Sequence, residues 1–247
     1  GRNVLVAGAS RGLGFAITKL LLAEGARVAA VARDAGRLEE ARSRWIKAYP
    51  HSIVHTLPLD LSAPTSVGPL TSFIARLGSL DGVVVVSGGG RPSGERPTEA
   101  FGTASTRNVL PVLVTIEAAH QFIRDSAIGS IVLISSIAGT EYINCPAEYA
   151  AAKTALHAYA GHWSRDLAPV RVNALAPGNI LTEGSVWEEQ MRDSPRSLNE
   201  RLARSVTLGR LANPDEIARI AVFMVSPATS FMTGTTVVVD GGQVRHW

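Results

Sequence analysis

Apolar and polar positions alternate along this chain in blocks rather than residue by residue. Seven short blocks consist largely of Val, Ile, Leu and Ala, which is typical of strands covered on both faces in a parallel sheet. These blocks are residues 3–7, 27–32, 52–57, 82–87, 130–135, 170–176 and 236–240. Longer segments with helical patterns lie between them, at 12–24, 35–48, 63–77, 103–125, 147–167 and 214–225. The alternation predicts right-handed βαβ units and a three-layer, doubly wound α/β Rossmann fold with a seven-stranded parallel sheet.

Capping residues support two of these helices. Asp34 stands directly before the segment 35–48 and is suited to accept a hydrogen bond from its first turn. Asn213 stands before Pro214, and this pair predicts a helix start because proline is favoured at the first helical position.

The segment 180–208 interrupts the alternation of strands and helices. It mixes Trp187, Met191 and Leu198 with several charges. A long insertion in a compact domain is often functional, so we expect a single domain over residues 1–247 with this segment as a substrate lid. Its three large apolar residues either line a pocket or pack within the lid.

The composition excludes several classes of function. The 247 residues are 46% hydrophobic with a net charge of +3, and their scattered basic residues argue against a nucleic-acid surface. Cys145 is the one cysteine, which excludes an internal disulfide, and it lies in no metal-binding spacing. No apolar run reaches the ~18–20 residues of a membrane span, and the first residues do not read as a signal peptide. We expect a cytoplasmic protein that binds no metal, nucleic acid or membrane.

The stretch AGASRGLG at residues 7–14 separates the first predicted strand from the first helix. Its glycines Gly8, Gly12 and Gly14 permit a tight turn and a close approach of backbone to a phosphate, which the helix N-terminus attracts. The spacing G-x3-G-x-G differs from the common G-x-G-x-x-G, and an ordinary tight turn is the alternative.

The end of the second strand bears on the choice of cofactor. Arg33 and Arg11 together suit the 2′-phosphate of NADP, whereas Asp34 stands at a spacing that suits the ribose of NAD. Because Asp34 is a good helix cap, we favour NADP.

Tyr149 and Lys153 stand four residues apart in a helical pattern and therefore share a helix face. An ammonium beside a phenol lowers the pKa of the phenol and makes it usable for proton transfer near neutral pH. Upstream, Ser135 and Ser136 end a strand at the sheet edge where ligands bind in open α/β folds. The alternatives are an ordinary surface pair and a serine that merely caps a loop.

Several motifs in the right order make this chain similar to one family. They are the loop 7–14, Asp60-Leu61, Ser136 with the Tyr149–Lys153 pair, RVNALAPGNILT at 171–182 and TGTTVVVDGG at 233–242. With them the chain resembles the NADP-dependent branch of the short-chain dehydrogenase/reductase family over nearly its whole length. It looks most like the 3-oxoacyl-acyl-carrier-protein reductases.

The resemblance implies a role for each matching residue. Tyr149 would be the general acid, with Lys153 lowering its pKa and holding the nicotinamide ribose. Ser136, rather than Ser135, would bind the substrate carbonyl, and Asn108 would anchor a water for proton relay. The implied contacts to NADP(H) are Gly8, Ser10, Arg11, Gly12, Leu13, Gly14, Arg33, Asp60, Leu61, Ser87, Gly88, Tyr149, Lys153, Pro177, Gly178, Ile180 and Thr182.

The sequence departs from the family pattern near the fourth strand. The usual Asn-Asn-Ala-Gly is replaced by VVSG at 85–88. Either Ser87 offsets the missing asparagines or the cofactor binds more weakly. Ala7 stands where the family usually has Thr. Arg91 follows close by and is either solvated or faces an anionic substrate.

Together these features predict an NADPH-dependent oxidoreductase that reduces a small-molecule ketone to a secondary alcohol, with a 3-oxoacyl thioester among the candidate substrates. The alternatives are a secondary-alcohol, sugar or steroid dehydrogenase, and a non-catalytic NADP(H)-binding regulator, which the altered fourth-strand motif favours. The resemblance also implies a homotetramer, with a dimer as second choice.

Overall fold

A seven-stranded sheet forms the centre of the protein in a computed structural model that describes residues 1–90, 94–123, 126 and 128–245. Its strands are β1 (Asn3–Ala7), β2 (Arg27–Ala32), β3 (Val54–Pro58), β4 (Gly82–Val86), β5 (Ser130–Ile134), β6 (Arg171–Pro177) and β7 (Thr236–Val239). They lie in the order β3-β2-β1-β4-β5-β6-β7, and neighbouring strands are parallel. The predicted doubly wound Rossmann fold is confirmed.

Helices cover both faces of this sheet. They are α1 (Gly12–Ala23), α2 (Ala35–Ala48), α3 (Val67–Ala75), α4 (Pro97–Asn108), α5 (Leu110–Ile123), α6 (Ala147–Asp166), α7 (Val186–Asp193), α8 (Pro195–Ser205) and α9 (Pro214–Val225). One hydrophobic core joins the sheet to α1, α2 and α9, and a second joins it to α3, α5 and α6. Along β1, Val4 and Val6 belong to the first core, whereas Leu5 and Ala7 belong to the second. This two-sided burial explains why the strands are continuously apolar.

Both predicted helix caps are present. The Asp34 side chain accepts a hydrogen bond of 3.0 Å from the Arg37 amide at the start of α2. Asn213 caps α9 in a capping box, in which the side chain of Glu216 accepts a hydrogen bond from the Asn213 amide. These bonds satisfy amides that a helix start otherwise leaves without partners.

The prediction of one helix over 103–125 is wrong, because two helices occupy this part of the chain. α4 begins earlier, at Pro97, and α5 begins after a break at Val109. Pro111 has no amide hydrogen and its ring excludes the regular helical bond, so the ladder is interrupted there. Residues 124 and 125 of the predicted segment lie outside the described residues.

The segment 180–208 contains α7 and α8, which pack around a small hydrophobic cluster of their own. Leu198, Leu202, Val206 and Leu211 form this cluster, and Trp187 and Met191 pack against it. Of the two interpretations of these apolar residues, the structure therefore supports packing within the segment.

Candidate functional site

The strand order reverses between β2-β1 and β4-β5, and a crevice opens at such a point beyond the carboxyl ends of the strands. The loops that follow β1, β4, β5 and β6 begin at this edge. They carry Gly8, Ser87, Ser135 and Gly178. The topology thus brings most of the sequence-predicted site residues to one edge of the sheet.

The glycine loop after β1 is too tight for side chains at two positions. Gly8 has a φ of +78°, and a Cβ there would lie 2.0 Å from the carbonyl oxygen of Val86. A Cβ at Gly14 would lie 2.0 Å from the carbonyl oxygen of Gly8. Backbone therefore packs against backbone between β1, β4 and the start of α1, as the sequence predicted.

The start of α1 is suited to hold a phosphate group. Within the described part of the chain, no side chain caps this helix at Arg11. The first amides of a helix point outward without helical partners and form an anion site together with the helix dipole. Ser10 is half-buried beside it, whereas the Leu13 side chain belongs to the core.

The two arginines predicted to hold a 2′-phosphate have different neighbours. Arg33 is exposed after β2, with its guanidinium 3.9 Å from the carboxylate of Asp60. The Arg11 guanidinium instead lies 3.3 Å from the position of a Cβ at Gly184. Leu61, predicted beside Asp60 as a cofactor contact, has its side chain in the core.

The segment after β6 forms the opposite wall of the crevice. Gly178 lies against β7, where a Cβ would be 2.8 Å from the Cα of Asp240. Ile180 pairs with Ala212 in an isolated bridge, and Thr182 lies 3.3 Å from the position of a Cβ at Gly12. Pro177 ends β6 in a buried position. The residues after β6 therefore reach across to the glycine loop.

Tyr149, Lys153 and Ser136 come together between α6 and the end of β5. The Ser136 hydroxyl lies near enough to the Tyr149 phenol to lower the pKa of Tyr149, and the Lys153 ammonium lies 5.9 Å from the centre of the Tyr149 ring. Lys153 is 2% exposed and donates to the carbonyl oxygens of Ser87 at 2.9 Å and Ile134 at 3.1 Å. The pairing expected from the four-residue spacing is present on α6.

The pKa values in this cluster follow from burial. Desolvation lowers the pKa of Lys153 to about 7. Burial also raises the pKa of Tyr149, and the hydrogen bond with Ser136 offsets this rise only in part. The sequence predicts that Lys153 lowers the pKa of Tyr149, whereas in the structure the loss of hydration outweighs the neighbouring groups and the net shift is upward.

The two serines after β5 have different environments. Ser135 is 5% exposed, and its hydroxyl donates to the Lys153 carbonyl at 2.9 Å and lies 2.6 Å from His157 Nε2. The Ser136 hydroxyl is the one that acts on Tyr149, where it lowers the pKa of the phenol. Sequence analysis missed His157, although its position four residues after Lys153 places both on the same face of α6.

Asn108 is buried at the end of α4, next to the loop after β4. Its backbone carbonyl accepts the Ser87 hydroxyl at 2.7 Å, and its side-chain oxygen fills the space where a Cβ at Gly88 would lie. Gly90 lies on the Tyr149 ring, with a Cβ position 3.0 Å from the nearest ring carbon. Sequence analysis missed this contact. Arg91 lies outside the described residues.

Two further observations concern other kinds of site. Among the described residues, no group of three or more His, Cys, Asp and Glu side chains is arranged to hold a metal ion. None of the helices in that part of the chain is both long and apolar enough to cross a lipid bilayer.

Comparison with known proteins gives consistent relatives. A family model described as enoyl-(acyl carrier protein) reductase matches residues 8–243. Isoepoxydon dehydrogenase of Aspergillus clavatus is 33% identical over 249 residues, covering 98% of this chain and 94% of that protein. An NADPH-bound short-chain oxidoreductase of Pseudomonas aeruginosa, described as having an atypical catalytic center, matches with a TM-score of 0.92 and 28% identity over 100% of this chain and 98% of that one. A 3-oxoacyl-[acyl-carrier protein] reductase of Brucella melitensis matches with a TM-score of 0.86 and 27% identity over 99% and 92% of the two chains.

Proposed function

This chain belongs to the short-chain dehydrogenase/reductase family, and we propose that it is an NADPH-dependent oxidoreductase that reduces a ketone to a secondary alcohol. The observation that carries the proposal is the cluster of Ser136, Tyr149 and Lys153 at the crevice beyond the strand ends. A phenol and a neighbouring hydroxyl provide two donors for one carbonyl oxygen.

Several features beyond the strand ends suit a dinucleotide. The uncapped start of α1 and the side-chain-free turn at Gly8 suit the diphosphate, and Arg33 is exposed where a 2′-phosphate would lie. The P. aeruginosa relative was solved with NADPH, which supports the same cofactor here. When bound, NADPH supplies the hydride that adds to the carbonyl carbon.

Ser136 and Tyr149 polarise the substrate carbonyl by donating hydrogen bonds to its oxygen, where negative charge develops. Tyr149 then gives its phenolic proton to that oxygen. The raised pKa of Tyr149 keeps the phenol protonated at neutral pH, as a proton donor requires. Lys153, with its side-chain nitrogen held by two carbonyls beside the Tyr149 ring, orients the cofactor.

The substrate class is proposed as a ketone, including 3-oxoacyl thioesters, because the B. melitensis relative is a 3-oxoacyl-[acyl-carrier protein] reductase. The second candidate is oxidation of a secondary alcohol, because the A. clavatus relative is named a dehydrogenase.

We propose a homotetramer as the assembled form, with a dimer as second choice. Phe223 on α9 and Phe231 before β7 are exposed, which suits faces covered by further copies of the chain. Light scattering on the purified protein tests this, and a monomeric mass would contradict it.

Absorbance of NADPH with a panel of ketones tests the reaction. Tyr149→Phe should reduce turnover about 100-fold or more, since a positioned proton donor contributes on the order of 10²–10⁴. NADPH binding, measured by fluorescence, should be retained, and wild type should prefer NADPH to NADH. Tyr49→Phe, on α2 away from the crevice, is the matched control and should be fully active. A Tyr149→Phe enzyme with near wild-type turnover, or a preference for NADH, would contradict the proposal.

A further inference from the structure

We propose that Ser87 is a positioning residue whose hydroxyl fixes the backbone carbonyl that holds the Lys153 ammonium. The proposal rests on the proposed function for the importance of Lys153. It concerns the place where this sequence departs from the family pattern, directly after β4.

Ser87 takes part in two hydrogen bonds. Its side-chain hydroxyl donates to the carbonyl oxygen of Asn108 at 2.7 Å, and its own carbonyl oxygen accepts from Lys153 Nζ at 2.9 Å. The hydroxyl bond ties this residue to the end of α4. The carbonyl bond then transmits that position to the ammonium on α6.

Ser87 requires such an anchor because it lies one residue beyond the end of β4. The other carbonyl that binds Lys153 belongs to Ile134, which is the last residue of β5 and is paired with Val86 of β4 and Leu175 of β6. Strand pairing fixes Ile134 on both sides, whereas Ser87 is not part of the ladder. A side-chain bond to α4 supplies the missing constraint.

The carbonyl of Asn108 is available because the helix breaks at the following residue. In a continuous helix the Val112 amide would bind Asn108, but here it binds the Val109 carbonyl at 2.9 Å. Pro111 contributes to this break, because it has no amide hydrogen for the Arg107 carbonyl and its ring crowds that carbonyl. The interruption between α4 and α5 therefore provides the acceptor that the Ser87 hydroxyl uses.

Packing around the next residues holds the same loop in place. Gly88 has a φ of +77°, and its missing Cβ leaves room for the side-chain oxygen of Asn108, which would be only 1.8 Å from that Cβ. Asn108 is 1% exposed and its amide nitrogen donates to the Ala104 carbonyl at 3.0 Å. The junction of α4 and α5 thus contacts both Ser87 and Gly88.

The sequence offers a direct measurement, because it contains three lysines, Lys19, Lys47 and Lys153. Proteins labelled with ¹³C at lysine Cε give one titration curve for each lysine by NMR, without cofactor or substrate. The titratable neighbours of Lys153 on its own helix are Tyr149 and His157, while β4 and β5 face it with the carbonyls of Ser87 and Ile134. Substitution of Ser87 leaves all of these groups present.

Ser87→Ala should lower the pKa of Lys153 by about 1 pH unit, because a carbonyl that is no longer anchored stabilises the ammonium less. Ser87→Thr keeps a hydroxyl and should leave the Lys153 titration at its wild-type position. Ser52→Ala removes a hydroxyl that donates to the Tyr49 carbonyl at 2.7 Å and is the matched control, which should also be unshifted.

Ser87→Cys is a second test that does not depend on the folding of the alanine variant. Because a thiol is a weak hydrogen-bond donor, the pKa of Lys153 in Ser87→Cys should lie between its values in Ser87→Ala and Ser87→Thr. A Lys153 titration unshifted in Ser87→Ala or Ser87→Cys, or shifted equally in Ser87→Thr, would overturn the proposal. Because no turnover is measured, these results are independent of whether the protein reduces ketones.

Discussion

Burial of Lys153 should make the protein less stable at neutral pH than it would be with an apolar residue at this position. Lys153 is 2% exposed, and desolvation lowers its pKa from 10.5 to about 7. At about 1.4 kcal/mol per pKa unit, this shift corresponds to roughly 5 kcal/mol of unfavourable free energy when the lysine is protonated. Lys153→Met removes this unfavourable free energy, but it leaves the carbonyls of Ser87 and Ile134 without their hydrogen-bond donor.

The sign of the pH dependence follows from proton binding. Between pH 7 and 10.5 the unfolded chain carries a proton on Lys153 that the folded chain has lost. The stability of the wild type therefore rises with pH through this window by about 1.4 kcal/mol per unit, and the lysine's penalty is fully present only below pH 7. Lys153→Met lacks this slope. Its stability relative to wild type should fall by roughly 3 kcal/mol between pH 7.5 and 9.5.

Urea unfolding followed by tryptophan fluorescence at several pH values measures this difference. The protein has four tryptophans. Lys47→Met, on the exposed end of α2, is the control and should follow the wild-type curve, because Lys47 is solvated in both states. Stabilities of wild type and Lys153→Met that stay parallel across the window would refute the reasoning, since they would show that the folded state does not depress this pKa.

Two glycine substitutions should have opposite effects on the free energy of unfolding. Gly14→Ala places a Cβ 2.0 Å from the Gly8 carbonyl and should destabilise the protein by about 3 kcal/mol. Gly102→Ala, in an exposed turn of α4 where a Cβ meets nothing within 4 Å, should stabilise it by about 0.5–1 kcal/mol. Both are measured by urea unfolding, and equal effects of the two would contradict the packing described for the glycine loop.

The strands were predictable from sequence because each is buried on both faces and is therefore continuously apolar. The capping signals at Asp34 and Asn213 were equally reliable, since a cap depends on neighbouring residues alone. The helix 103–125 was mispredicted although Pro111 was visible. Proline inside an apolar segment indicates an interruption, but it does not show that the freed carbonyl of Asn108 will meet Ser87 from a different part of the chain.

In the candidate site, too, some features could be predicted from sequence and others depend on packing. The spacing of Tyr149 and Lys153 on one helix face follows from helix geometry, so sequence sufficed to pair them. The pKa of Tyr149 could not be predicted in the same way, because it depends on how much water the surrounding elements exclude. The contact of Ser135 with His157 also depends on packing, in this case of the segment after β5 against α6.

Two features that are unfavourable for folding lie at the same edge of the sheet. Among the described residues, the buried side-chain atoms without a hydrogen-bond partner are Thr18 Oγ1 and Asn108 Oδ1, and the second lies against Gly88. The desolvated ammonium of Lys153 donates to the carbonyl of Ser87, the residue directly before Gly88. A sequence selected for stability alone would place an apolar residue at 153. At 108 it would place a residue whose polar atoms all have hydrogen-bond partners. Local rules are broken where function requires it, so this clustering indicates the position of the site independently of any motif.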